Sequence, residues 1–363
     1  MAYELEFHPV GSGANSGDAI TVRYLAGTEW RVIVVDGGYQ DTGEMIVEHI
    51  RRQYGTNTVE HVVSTHPDND HISGLRAVIS QLDVQNLWMH VPELHAQNLI
   101  NFFHDPRWTL DGLRGDLRRS YPIVTELIEL ATIRGTTLNA PFQGAKIGPF
   151  TVLSPSVAMY EGLLPQFRDT PKPAQHLLAL LGHWLTGVGR RVATQIRRII
   201  AEDLLTETLR DGGITAAENE SSVVLYGQID GRNIFLTGDV GLKALNAAVT
   251  YGAANGLRFG EALNVFQVPH HGSRNNVSPA LLDRILGQVS GFGARPSIGC
   301  AISAGPDDET HPRQVVVNAL LRRGVTPQDT KQGLLLFNHG VANRPGFGPA
   351  AGLGFSTRVE AYD

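Results

Sequence analysis

Two histidines and two aspartates fall within six residues of Thr65-His66-Pro67-Asp68-Asn69-Asp70-His71. Divalent cations bind neutral imidazole nitrogen and carboxylate oxygen, so this composition suits a metal site. The heptapeptide follows an apolar run, 61–65, that reads as a buried strand, and precedes 72–82, which reads as a helix. A short strand-to-helix turn can aim side chains from both of its ends at one point. Ordinary turn chemistry is the competing explanation, since Asp and Asn favour turns and Asp70 could cap the helix. Similar polar groups stand at other strand ends: Asp36 in Val35-Asp36-Gly37-Gly38, Asp239 in Thr237-Gly238-Asp239, and His270 and His271 in Val268-Pro269-His270-His271-Gly272-Ser273.

The elements that must position these groups alternate along the chain. Strands are expected over 5–10, 19–25, 30–35, 84–90, 146–153, 221–226, 233–236, 265–268, 297–304 and 334–338. Helical spacing marks 45–54, 92–103, 122–133, 242–251, 278–286 and 312–323. Asp230-Gly231 reads as a two-residue hairpin turn. From 155 to about 217 the texture changes to Leu, Ala, Arg and Glu with few turn signals over 175–209, which predicts two helices, or one broken near 187–189. The final 25 or so residues are Gly-rich and read as an edge strand or as irregular chain. Both halves alternate strands and helices, which suggests two similar half-sheets facing one another.

The chain has 363 residues, 42% of them hydrophobic, enough for a sizeable core. Forty glycines and 19 prolines fit short strands joined by tight turns better than a helical bundle. Cys300 is the single cysteine, which excludes an internal disulfide and a thiolate-rich zinc cluster. The loop 11–18 has no Gly-Lys-Ser/Thr and is no phosphate-binding P-loop. No window approaches a membrane span and residues 1–6 lack signal-peptide character, so a cytoplasmic protein is expected. The formal net charge of -6 opposes broad non-specific binding of nucleic acid.

Taken in order, Gly17-Asp18-Ala19, Val34 to Gly38, Thr65 to His71 with Ser73-Gly74-Leu75, Asn219-Glu220-Ser221-Ser222, Phe235 to Asp239, Val268 to Ser273 and His311-Pro312 resemble the metallo-β-lactamase superfamily. Within it they are most similar to the hydrolase domain of ComEC-type DNA-uptake proteins and their stand-alone relatives. The resemblance implies an α/β fold, a four-layer αββα sandwich with a dinuclear metal site at one edge. Residues 1–154 would form its first half, 155–217 a helical insertion and 218–363 its second half. Carried over residue by residue, His66 and Asp68 face the first metal, Asp70 and His71 the second, and Asp239 bridges both. The last ligand comes from the His270-His271 pair. Alternation along a strand favours one of the two; His270 is assigned as ligand and His271 to substrate or leaving group. Asp36 and Ser273 are expected behind the ligands.

Two departures bear on the metals. Asp68 stands where the superfamily's commonest version has histidine, which makes manganese a competitor to zinc. The usual third-motif histidine has no clear counterpart near Leu153-Ser154-Pro155, so the first of two divalent ions would be weakly held. Two cations about 4 Å apart activate a bridging hydroxide and clamp both the attacking and the departing oxygen. The expected function is therefore a metal-dependent phosphodiesterase or nuclease. Asp70, His271 and His311 are expected to carry catalysis, the histidines by stabilising or protonating the leaving oxygen. His311 has a simpler alternative role at the N-terminus of the next helix. The alternatives for the whole chain are hydrolysis of a cyclic nucleotide, lactone or thioester, and a partner-binding module with a vestigial site. Arg190, Arg191, Arg197 and Arg198 would form one basic stripe on a helix, for nucleic-acid contact or as a solvated face paired with Glu202 and Asp203. The insertion would serve as a lid or as a docking surface for a protein partner.

Overall fold

The computed structural model describes residues 2–11, 15–102, 109–171, 199–203 and 206–362. In chain order the strands are β1 (Tyr3–Phe7), β2 (Ala19–Ala26), β3 (Glu29–Gly37), β4 (Thr58–Val63), β5 (Asp83–Trp88), β6 (Thr137–Asn139), β7 (Lys146–Ile147), β8 (Phe150–Ser154), β9 (Ile199–Ala201), β10 (Val224–Ile229), β11 (Arg232–Leu236), β12 (Leu263–Gln267), β13 (Gly299–Ile302), β14 (Pro327–Asp329), β15 (Leu335–His339) and β16 (Arg358–Glu360). They form two seven-stranded sheets, ordered β15-β1-β2-β3-β4-β5-β6 and β14-β13-β12-β11-β10-β8-β7, and a small pair, β16-β9. Each large sheet is antiparallel in one half and parallel in the other. The pairing expected from the alternating pattern is thus present.

Period-two chemistry packs the sheets. On β3, Ile33 and Val35 point into the apolar layer between the sheets, against residues such as Leu225, Ile234 and Val265. Val32 and Val34 point the other way, toward the helices. On β1, Leu5 and Phe7 face the interior while Glu4 and Glu6 are buried on the outer face. There Arg23 and Arg344 neutralise them at 2.5 to 2.9 Å, the condition for burying a carboxylate at all. Asp230 and Gly231 both have positive φ, 53° and 73°, as the hairpin between β10 and β11 requires.

Several elements differ from the sequence expectation. The run 72–82 is two helices, Asn69–Ile72 and Leu75–Gln81. The run 92–103 is a series of short turns. Leu110–Ser120 is a helix whose amphipathic pattern was not read, begun by Thr109, whose hydroxyl accepts from the Gly112 amide. β7 and β8 lie in the second sheet, although the division at 154 placed them in the first half, and β15 returns to the first sheet. Of the stretch read as two helices, 175–209, most lies outside the described residues. The part described includes a strand instead, because the β-branched pair Ile199 and Ile200 is claimed by the chain's last strand, β16. Arg190, Arg191, Arg197 and Arg198 also lie outside the described residues.

Backbone contact locks the loop that carries the metal-type cluster. A Cβ on Gly74 would lie 2.0 Å from the Gly37 carbonyl oxygen, and one on Gly43 2.1 Å from that of Gly74. Replacing Gly74 by alanine is expected to destabilise the fold by about 3 kcal/mol, since backbone on both sides must move. Urea denaturation measures this, and an unchanged midpoint would contradict it.

Candidate metal centre

The ends of parallel strands from both sheets meet at one edge. β3 carries Asp36 as its penultimate residue, and the turn after β4 supplies His66 and Asp68. The helix Asn69–Ile72 supplies Asp70 and His71. Asp239 follows β11, and His270 and His271 follow β12 in a tight turn, His270–Gly272. Asp239 Oδ2 lies 3.5 Å from His71 Nε2, 3.5 Å from His270 Nε2, 3.7 Å from His271 Nε2 and 4.0 Å from His66 Nε2. Asp70 Oδ2 lies 3.8 Å from His71 Nε2 and 3.9 Å from His271 Nε2. Donors sharing one cation stand about 3–4 Å apart, given metal–donor bonds of about 2 Å. Asp70 does not cap its helix, which removes the ordinary turn explanation for it.

The outward ring nitrogens fix every tautomer. His71 Nδ1 donates to Asp36 Oδ2 at 2.8 Å, and His271 Nδ1 to the Ser303 carbonyl at 2.9 Å. Thr65 donates its amide and hydroxyl to Asp36, so its oxygen accepts from His66 Nδ1 at 3.0 Å. Asn276 donates its amide protons to the Asp239 and Val240 carbonyls, leaving Oδ1 to accept from His270 Nδ1 at 3.1 Å. With a proton on each Nδ1, each Nε2 presents a lone pair toward the others and toward carboxylates. His66 Nε2, His71 Nε2, His271 Nε2 and Asp239 Oδ1 are buried without a hydrogen-bond partner among the described residues. Lone pairs converging in a buried pocket are costly unless a cation sits among them. The donor set therefore fits a divalent metal.

Electrostatics agree. Burial opposes a charged His71, but the carboxylates of Asp239, Asp70 and Asp36 outweigh it and push the imidazole well above its ordinary pKa. Burial likewise disfavours charge on Asp239, yet His270, His271 and His71 hold it well below the usual carboxylate range. The cage is built to attract positive charge.

Residues 17–141 match the family model described as the Metallo-beta-lactamase superfamily. This is the metallo-β-lactamase fold. No curated protein matches the chain's sequence. Among solved structures, the metallo-beta-lactamase fold protein YhfI from Bacillus subtilis is 8% identical, with 93% of this chain and 100% of that one covered and a TM-score of 0.42. A diphosphatase from the PhnP family is 9% identical over 93% and 98% of the two chains, with a TM-score of 0.41.

Around this centre the structure places the remaining expected residues. Asp36 touches both His71 and Thr65, so it orients ring and loop together. The Ser273 hydroxyl accepts from the Asn275 amide at 3.3 Å and serves the loop rather than a ligand. His311 joins the edge, its ring stacked on His270 at 6.0 Å and 24°. Its Nδ1 donates to Asp308 Oδ2 at 3.0 Å, and the first amide of the helix that follows, Gln314–Arg322, is held by the Glu360 carboxylate at 3.1 Å rather than by His311. Burial and the neighbouring His271 push its pKa down to about 4.

Sequence reasoning did not single out five groups that also meet here. Asp18, its pKa raised by burial, accepts from Gln267 Nε2 at 2.8 Å and lies 3.9 Å from His71 Nδ1. Asn219 Nδ2 donates to Asp239 Oδ2 at 3.3 Å. Arg168 Nη2 contacts Asp68 Oδ1 at 2.5 Å and Oδ2 at 2.7 Å. Asp18 and Asn219 stand inside motifs already noted, Gly17-Asp18-Ala19 and Asn219-Glu220-Ser221-Ser222; Arg168, Gln267 and Asp308 carried no such signal.

One further histidine sits just behind the centre. His90, after β5, lines a small internal cavity with Thr65, His66, Pro67 and Tyr160. Its ring stacks on Tyr160 at 4.5 Å and packs against Phe142 at 4.7 Å, with neither nitrogen hydrogen-bonded among the described residues. Burial pushes its pKa down to about 3. Below pH 6.5 the unfolded chain takes up a proton that folded His90 refuses, so its contribution to stability is full above 6.5 and is lost as pH falls toward 3. At pH 4.5 the wild type should have lost about 2–3 kcal/mol relative to His90→Phe, compared with pH 7.5. Urea titrations of both proteins with EDTA present read this difference. Parallel pH profiles would refute it.

Proposed function

We propose that the protein is a metal-dependent hydrolase acting on phosphodiesters, a phosphodiesterase or nuclease of the ComEC-like kind. The observation that supports this is the convergence of inward, unpartnered Nε2 lone pairs with Asp239 at a sheet edge. Asp70, His71, His271 and Asp239 would hold one cation. His66 and Asp68, sharing Asp239 and flanked by His270, would hold the other. The carboxylate share of this set suits manganese as well as zinc.

Divalent ions bound there supply Lewis acidity and lower the pKa of water toward neutrality. The chain's own residues do the rest. Asp36 and the Ser303 carbonyl keep His71 and His271 in the tautomer that turns Nε2 inward. Asn219 donates to the inner oxygen of Asp239 and so fixes that carboxylate's rotation. His311 is neutral at pH 7 and gives its one ring proton to Asp308. Its Nε2 is therefore an acceptor that orients a water or takes its proton, whereas the sequence reading gave His271 or His311 the task of stabilising or protonating the leaving oxygen. The shallow, open surface carrying Tyr39, Asn69, Ser73 and Arg76, whose Asn69 adjoins Asp70 in the chain, would receive the substrate.

The test is a panel of a model phosphodiester, a cyclic nucleotide, a lactone and a thioester, each with added zinc or manganese. The expected result is phosphodiester cleavage that EDTA abolishes and metal restores. Cleavage confined to the lactone or thioester would assign the protein to small-substrate hydrolysis. No bound metal and no turnover would reduce it to a binding module.

A further inference from the structure

Among the described residues, Asp68 is the one ligand-type residue of the centre whose carboxylate already has an arginine or lysine partner. Arg168 follows the short turn Leu164–Gln166 at the start of the insertion. A single guanidinium nitrogen, Nη2, bridges both Asp68 oxygens at 2.5 and 2.7 Å. The arginine is aimed there by Glu218, which accepts from Arg168 Nε at 3.0 Å and from its backbone amide. Glu218 is itself buried in the helix Ala217–Glu220, next to Asn219. Glu218 therefore does for Arg168 what Asp36 does for His71.

The contrast with the other donors is sharp. His71, His271, Asp70 and Asp239 face one another at 3.5 to 3.9 Å, and the inner oxygen of Asp239 accepts from the neutral Asn219 amide rather than from a cation. On the His66 side, Asp68 Oδ2 is 4.0 Å from His66 Nε2, but both Asp68 oxygens are engaged by the arginine. A cation entering between His66 and Asp68 must displace a charge-assisted hydrogen bond and meet a fixed positive charge.

We infer that Arg168 is a built-in competitor of the first metal. The resident guanidinium makes the two positions unequal, so that one cation is held tightly by Asp70, His71, His271 and Asp239 while the His66–Asp68 position fills only at high metal concentration or when Arg168 is drawn away. The inference rests on the metal-hydrolase reading above and deepens it: Arg168 is a positioning residue that sets metal stoichiometry from the edge of the insertion.

Calorimetric titration of metal-stripped protein with manganese, and manganese electron paramagnetic resonance of the same samples, test it without any activity assay. The wild type should take one equivalent tightly and a second about 10- to 100-fold more weakly, the range of one charge-assisted hydrogen bond. Its resonance at one equivalent should be that of isolated ions. Arg168→Met should close most of that gap and bring the spin-coupled signal of paired ions to lower metal concentration. Glu218→Gln, which leaves the arginine in place but unaimed, should move the second step the same way by less, and covers the case in which Arg168→Met folds poorly. Two equivalents of equal affinity in the wild type, or a second step unmoved in both variants, would overturn the inference and leave the hydrolase reading intact. No manganese or zinc taken up by any of the three proteins would overturn both.

Discussion

Asp239→Asn is expected to lower kcat/KM on a phosphodiester by about a thousandfold or more, the several kcal/mol of transition-state stabilisation that metal catalysis supplies. The reason is position. Asp239 Oδ2 is within 4.0 Å of four inward histidine nitrogens, and the carboxylate is almost wholly buried. No other carboxylate among the described residues reaches both sides of the centre. The folded protein should not suffer, because Asp239 Oδ1 makes no hydrogen bond among the described residues. An asparagine there keeps an oxygen for Asn219 and removes a buried charge, so the metal-free variant should be as stable as the wild type, or more so. Elemental analysis, turnover and thermal melting in EDTA read the three quantities. A stable variant with full metal and full turnover would remove the centre from the chemistry.

The second large effect separates the adjacent histidines. His271→Ala should weaken the tight metal step by at least about 100-fold, while His270→Ala should cost it about tenfold or less. His271 Nε2 is buried and unpartnered, faces both Asp70 and Asp239, and its Nδ1 is tied to a backbone carbonyl that can only accept. His270 is more exposed, with 31% of its side chain accessible, and approaches Asp239 alone. Metal titration of the two variants decides it, and a larger loss from His270→Ala would restore the opposite assignment. The sequence reading chose His270 by treating the pair as strand neighbours pointing to opposite sides. Both residues sit beyond β12 in a turn, with φ of 49° and 57°, and in the left-handed region strand alternation no longer applies. Which ring points inward is decided by where the Asn276 amide and the Ser303 carbonyl stand, and the latter is 32 residues away in sequence.

That contrast describes how far the chain could be read. The cluster from His66 to His71 is local, because a turn between one strand and one helix brings its members together, and its spacing was sufficient. Asp36 and Asp239 were legible because each ends an apolar run at a glycine. The paired half-sheets followed from alternation of strands and helices. What escaped depends on long-range contact: Arg168 reaches Asp68 across 100 residues of sequence, and Gln267 reaches Asp18 across 249. Neither residue belongs to a pattern. β14, three residues long and begun by a proline, carries too little signal for any period to show. No helix among the described residues is long and apolar enough to cross a membrane.

The two sheets share the centre almost evenly, with His66, Asp68, Asp70 and His71 hung on one and Asp239, His270 and His271 on the other. During synthesis the early set must wait for some two hundred later residues before its counterpart exists, so neither part can trap an ion firmly by itself. Loading under the proposed function would therefore be a late event that certifies correct closure of the two sheets, and an ion once seated would act as a rivet between halves otherwise joined by oily side chains.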